Sequence, residues 1–159
     1  MNAQLLKASH QHKEVIKNLM QFYMYDFSEF VHLDVEADGL FSAYSTLNDY
    51  WKDQNRFPYL IQKEEKYIGF VLVRFIETAQ RNYFSIAEFF VMKKYRRTGI
   101  GKTIAHQIFS SHKGEWEVYQ KESNKPAQFF WNKVIDDFTK GYFTERFENG
   151  KRIQHFKVE

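Results

Sequence analysis

One stretch constrains this chain more than any other: Arg96-Arg97-Thr98-Gly99-Ile100-Gly101-Lys102-Thr103. A β-rich run, Ser85 to Met92, precedes it. From Lys102 to His112 the chain then reads as a helix, with Ile104, Ala105, Ile108 and Phe109 on one stripe. The stretch is therefore a strand-to-helix turn carrying two glycines and the cations Arg96, Arg97 and Lys102. Such a turn leaves backbone N–H groups unpaired at a helix N-terminus, where the helix dipole also favours negative charge. Glycines let a ligand approach the backbone closely. These features predict a phosphate or pyrophosphate site.

Three phosphate-loop patterns compete for these residues. The P-loop needs a glycine where Arg96 stands, so Lys102-Thr103 matches only its tail. The dinucleotide fingerprint needs a small residue where Ile104 stands. The pattern Arg/Gln-x-x-Gly-x-Gly/Ala is met in full by Arg96, Gly99 and Gly101. Here the sequence resembles the GNAT superfamily of N-acetyltransferases, in which this turn binds the pyrophosphate of acetyl-coenzyme A. The bland alternative is a basic turn that caps an ordinary helix.

The order of elements extends the resemblance over essentially the whole chain. Gln4 to Lys7 is a short strand, and Ser9 caps a helix from about His10 to Tyr25 with Val15, Ile16, Leu19, Met20 and Tyr23 on its apolar face. A second helix is expected from about Gly39 to Trp51. Tyr59 to Gln62 and Tyr67 to Phe75 form a hairpin around Lys63-Glu64-Glu65-Lys66, and Tyr83 to Met92 is a further strand. Arg74 and Glu77 lie near the end of the second hairpin strand, towards solvent or a cleft. After the basic turn and its helix, Glu115 to Gln120 alternates as a strand. Pro126 suits the first turn of a helix with Ala127, Phe130, Trp131, Val134 and Ile135 on one stripe. Asn149-Gly150 joins Tyr142 to Glu148 and Arg152 to Val158 in a hairpin. The expected class is α/β (α+β), one GNAT-like acyltransferase domain over residues 1–159. Its mixed, mostly antiparallel sheet has about seven strands, flanked by about four helices.

Composition narrows the chemistry. With 159 residues the chain can bury a core, and aromatics make up 19% of it. It has no cysteine, which removes thiol catalysis, disulfides and cysteine-based zinc sites. The six histidines are scattered, and no metal is expected. No apolar run reaches the length of a membrane helix, and Met1 to Ser9 lacks signal-peptide form, so the expected location is the cytoplasm. The net charge of +3 is too small to imply nucleic acid. Asp26, Glu29, Asp34, Glu36 and Asp38 occur without a lysine or arginine between them, which suits a cationic substrate or a solvated loop.

The resemblance assigns roles residue by residue. The strand before the turn diverges from its neighbour, so backbone groups at Phe89, Phe90 and Val91 would pair with the pantetheine arm and polarise the thioester carbonyl. Arg96, Arg97, Thr98, Gly99, Ile100, Gly101, Lys102 and Thr103 would hold the pyrophosphate. Asn124, Ala127, Phe130 and Trp131 fit the second half of the family pattern, which brings Asn124, Phe130 and Trp131 towards the cofactor; Asn124 serves equally as a helix cap. Much of the family has a tyrosine general acid where this chain has Trp131, whose indole N–H is no acid. Tyr119 is the substitute candidate, with solvent as the alternative proton source.

Strict alternation puts Glu88 on the face of Phe84 and Ile86, and an acid there suggests a β-bulge nearby. A desolvated glutamate could accept the amine proton; a structural ion pair with Arg or Lys is the other reading. The resulting expectation is transfer of acetyl from acetyl-CoA to a primary amine on a small cationic molecule, by direct attack in a ternary complex. A non-catalytic acyl-CoA-binding or sensor module on the same fold is the alternative. The partners expected are acetyl-CoA and an amine acceptor, without nucleic acid or membrane, and with homodimer formation left open.

Overall fold

The computed structural model describes residues 2–159; Met1, which the signal-peptide reading included, lies outside the described residues. One sheet orders its seven strands β1-β2-β3-β4-β5-β7-β6. These are β1 (Gln4–Lys7), β2 (Arg56–Lys63), β3 (Lys66–Glu77), β4 (Asn82–Val91), β5 (Gly114–Lys121), β6 (Thr144–Glu148) and β7 (Lys151–Val158). Three α-helices among the described residues accompany it: α1 (Lys13–Phe27), α2 (Ile100–Ser111) and α3 (Lys125–Thr139). Every strand pair is antiparallel except β4 with β5. That parallel pair registers at a single position, Phe84 opposite Trp116. Beyond it towards Val91 the two strands are not laddered.

The sheet carries a core on each face, as the two residue periods require. On one face Val71, Val73, Ile86 and Trp116 pack against Ile104, Ile108 and Phe109 of α2 and Trp131 and Ile135 of α3. The other face packs Leu60, Phe70, Leu72 and Phe90 against Ile16, Leu19 and Met20 of α1. The α3 stripe read from the sequence is a real buried face, with Trp131, Val134 and Ile135 all buried.

The helix expected over Gly39 to Trp51 does not form; a loop ends there in a 3-10 turn, Leu47–Trp51. Its backbone is claimed by other partners. The Gln21 amide donates to the Phe41 carbonyl at 3.0 Å and accepts from the Phe41 N–H at 2.9 Å. Asp38 Oδ1 accepts from the Leu40 N–H at 3.0 Å, a local bond that competes with helix. The first helix begins with a 3-10 turn at His10–His12 before α1 proper. The β6–β7 hairpin turns at Asn149 and Gly150, both at positive φ (52° and 71°), as the two-residue turn demands. Among the described residues no helix is long and apolar enough to cross a membrane.

Candidate active site

The basic turn sits between β4 and α2, with Gly99 as N-cap at φ +87°. A Cβ added to Gly99 would meet nothing within 4 Å, so the space above it is open and its conformation alone calls for glycine. Thr103 donates to the Gly99 carbonyl at 3.1 Å, the first bond of α2. Among the described residues, the N–H groups of Gly99, Ile100, Gly101 and Lys102 find no acceptor, as the first turn of a helix dictates. Gly101 is glycine for a second reason. A Cβ there would lie 3.1 Å from the Phe130 ring of α3.

The cationic side chains mostly brace the turn. Arg96 donates through Nε to the Val91 carbonyl at 2.7 Å and pairs with Asp26 at the end of α1. Its own N–H donates to the Lys93 carbonyl. Lys102 pairs with Asp137 of α3 at 2.7 Å. Thr98 donates its hydroxyl to the Tyr95 carbonyl at 2.7 Å. Arg97 takes a left-handed backbone (φ 62°) and is exposed. Thr103 is exposed on the first turn of α2, while Ile100 is buried. The acids of the 26–38 segment are partly committed too: Asp26 to Arg96, and Glu36 to the Ser42 hydroxyl at 2.7 Å.

The gap between β4 and β5 opens beside this turn. Met92 donates to the Ile68 carbonyl of β3, so by alternation Phe90 also turns its backbone to β3. Phe89 and Val91 therefore present their backbone edges to the gap. Phe90 is placed differently from the expectation, with its backbone laddered and its ring buried near Tyr23 at 6.0 Å between centroids. Phe89 packs on Phe130 and Trp131, at 5.9 and 5.0 Å. Trp131 is buried in the core, and Asn124 caps α3 by accepting from the Ala127 N–H at 3.1 Å.

A bulge lies one step before Glu88. Leu72 pairs with Glu88 but Val73 pairs with Ile86, so Ala87 is the extra residue. Without it, Glu88 would share the face of Ile86. With it, Glu88 shares the face of Leu72, towards α1. Among the described residues no Arg or Lys forms an ion pair with it, and it is half-buried or better. Desolvation pushes its carboxyl up to about 7, with the Tyr23 hydroxyl pulling the other way as a donor to the carboxylate.

Three tyrosines feel this acid. Burial and then Glu88 raise the Tyr23, Tyr44 and Tyr119 hydroxyls, Tyr44 to about 12. All three hold their protons at neutral pH. Tyr119 is 42% exposed, and Lys151 Nζ lies 4.4 Å from its ring centroid. The site is thus a desolvated carboxylate whose charge three tyrosine hydroxyls feel, on the strand that leads into the turn with its free amides. The sequence marks Tyr23 and Tyr44 among a dense run of aromatics that either pack the core or wall an acceptor pocket, but not that their hydroxyls feel the charge of Glu88. A hydroxyl on the apolar stripe of α1 was the available signal, since a buried Tyr O–H needs a partner.

A crystal structure of a GNAT-family acetyltransferase from Streptococcus agalactiae superposes with a TM-score of 0.69 at 14% identity, covering 99% of this chain and 95% of that one. An acetyltransferase from Thermus thermophilus gives 0.69 at 10% identity, covering 99% and 98%. The PaiA N-acetyltransferase of Thermoplasma acidophilum, in complex with coenzyme A, gives 0.64 at 14% identity, covering 99% and 100%. At these identities the likeness shows the fold alone. No curated protein matches the sequence. The family model described as acetyltransferase (GNAT) family matches residues 13–136, from the start of α1 to near the end of α3, and the chain belongs to the GNAT family of acetyltransferases.

Proposed function

We propose that this chain moves an acetyl group from acetyl-CoA to the primary amine of a small, positively charged acceptor, by direct attack in a ternary complex. The donor supplies an acyl group already activated as a thioester. The free amides of Gly99, Ile100, Gly101 and Lys102, with the open space at Gly99, fit its diphosphate. Exposed Arg97 adds positive charge at the rim. The backbone edge of Phe89 and the N–H of Val91, whose carbonyl Arg96 already occupies, fit an extended arm laid in the β4–β5 gap, and an N–H there can stabilise the developing oxyanion.

Glu88 carries the proposal. A free alkylamine is mostly protonated near pH 7 and cannot attack until it loses a proton. A carboxylate whose proton affinity is raised to about 7 takes that proton directly or through one water. As the C–N bond forms and the C–S bond breaks, the departing thiolate needs a proton. The Tyr119 hydroxyl or solvent supplies it; a thiol with a pKa of ~8.5 leaves tolerably even from solvent. The acceptor would meet Glu88 beside Tyr23, Tyr44 and Tyr119; Tyr44 also lines a cavity with Glu36 and Asp38, so part of the acidic segment adjoins it. We place the protein in the cytoplasm as a single domain acting on small molecules.

The test is an amine panel with acetyl-CoA, following free thiol release and acetylated product together. Stoichiometric transfer to at least one amine, lost in Glu88→Gln, is the expected result. Tight acetyl-CoA binding with no transfer would favour a non-catalytic acyl-CoA sensor. The single observation on that side is Trp131, buried where much of the family has a tyrosine.

A further inference from the structure

On the face that holds Glu88, the register sets Arg56 of β2 directly opposite Arg74 of β3. Like charges directly opposite in a sheet destabilise it. Arg56 is compensated: its Nε lies 3.2 Å from Asp53 Oδ2, and its guanidinium carbon lies 5.4 Å from the Tyr50 ring centroid. Arg74 is compensated less. It is half-buried on a central strand, and among the described residues it has no ion pair and no side-chain hydrogen bond; it helps to lower the carboxyl of exposed Asp53, which already pairs with Arg56. No ion pair joins Arg74 to Glu88 among the described residues. The positive charge of Arg74 is a lesser influence on the hydroxyls of Tyr50 and Tyr119, both of which burial raises. The Tyr50 hydroxyl is itself buried with no hydrogen-bond partner among the described residues. A guanidinium taken partly out of water and returned no acceptor is a cost that a ligand anion would offset.

The geometry points to an acceptor that carries a carboxylate close to its amine, an amino acid or a similar compact zwitterion, with Arg74 as the carboxylate anchor. Because it names the acceptor class of the same site, this rests on the acyl-transfer reading above and narrows its cationic acceptor to an ammonium compound that also carries a carboxylate. The spacing fits a compact molecule. Arg74 lies two residues along β3 from Leu72, the partner of Glu88, so Arg74 and Glu88 are diagonal neighbours on one face. Diagonal pairs are about 7–8 Å apart at Cα, close enough for two inward side chains to hold one small zwitterion. Glu88 would receive the ammonium end and Arg74 the carboxylate end. The tyrosine rings would wall the stem between them.

Matched acceptors test it: phenylalanine against phenethylamine, tyrosine against tyramine, and lysine against cadaverine. Each pair is assayed with wild type, Arg74→Gln and Arg74→Lys, and acetyl-CoA dissociation constants are measured alongside to show that each variant is folded. For at least one pair, wild type should favour the amino acid over its decarboxylated partner. In that pair Arg74→Gln should lose about 100-fold in kcat/KM on the amino acid, mostly through KM, because a charge partner is removed. It should leave the decarboxylated amine nearly unchanged, and Arg74→Lys should recover part of the loss. Two results would overturn the inference while leaving acyl transfer standing. One is wild type acetylating the decarboxylated amines as well as every amino acid. The other is Arg74→Gln lowering both members of a pair equally with acetyl-CoA binding intact. Acetyl-CoA binding without transfer to any amine would overturn both readings.

Discussion

The two halves of the site are built in opposite ways. On the proposed donor side free main-chain amides line the turn, and two of its cations are spent inward. Arg96 braces α1 through Asp26, and Lys102 braces α3 through Asp137. On the proposed acceptor side the chemistry rests on side chains: Tyr23, Tyr44, Arg74, Glu88 and Tyr119, drawn from a helix, a loop and three strands. A main-chain site is a local motif and survives changes of side chain. A side-chain site depends on register and burial, and a single exchange can empty it.

That contrast can be broken by measurement, and the largest effect is expected at Glu88. Glu88→Gln should lower kcat by about 10²–10⁴-fold, the range for removing a general base, while the acetyl-CoA dissociation constant stays put. An unchanged kcat would remove the acceptor-side half of the contrast. Next comes Gly99→Val, which forces a β-branched residue to φ +87°. Strain of about 1–3 kcal/mol, relieved by moving the turn, should weaken acetyl-CoA binding by roughly tenfold or more in calorimetry. Gly101 is the poorer probe, because a side chain there strikes Phe130 whether or not a ligand is bound.

Stability sharpens the same point. The folded Glu88 carboxyl holds its proton up to about 7, whereas an unfolded one releases it near the ordinary 4.5. Folding stability from this group is full below about 4.5 and is lost as the pH rises through about 7. Glu88→Gln should therefore stabilise the protein more at pH 8 than at pH 5, by at most about 3 kcal/mol in denaturant titrations. Equal effects at both pH values would mean that the carboxyl is not desolvated. The smallest effects belong to the turn's cations. Arg97→Ala and Lys102→Ala should each weaken acetyl-CoA binding by less than about fivefold, as expected for exposed charges in salt. A loss as large as that of Gly99→Val would show that the side chains carry the donor site after all.

The same difference decides what was legible in the sequence. The turn could be read because Arg96, Gly99 and Gly101 stand within six positions and imply their own geometry. The α3 stripe and the Asn124 cap were legible for the same reason. The loop over residues 39–46 was not, because a side chain on α1, Gln21, takes the Phe41 backbone out of helical bonding. The face of Glu88 hinged on one extra residue, Ala87. The acid on an apolar face hinted at a bulge, but only the register shows which side it turns to. Arg74 reads from the sequence as a strand-end cation towards solvent or a cleft, and only the register sets Arg56 opposite it. Long-range pairing, not local pattern, writes the acceptor cleft.

The central claim is that a desolvated Glu88 takes the amine proton. The pH dependence of kcat/KM for a good acceptor, in wild type and in Glu88→Gln, tests it most directly. The account predicts a rise through an inflection near 7 in the wild type that disappears in the variant. The same inflection in both proteins, at comparable rates, would contradict it.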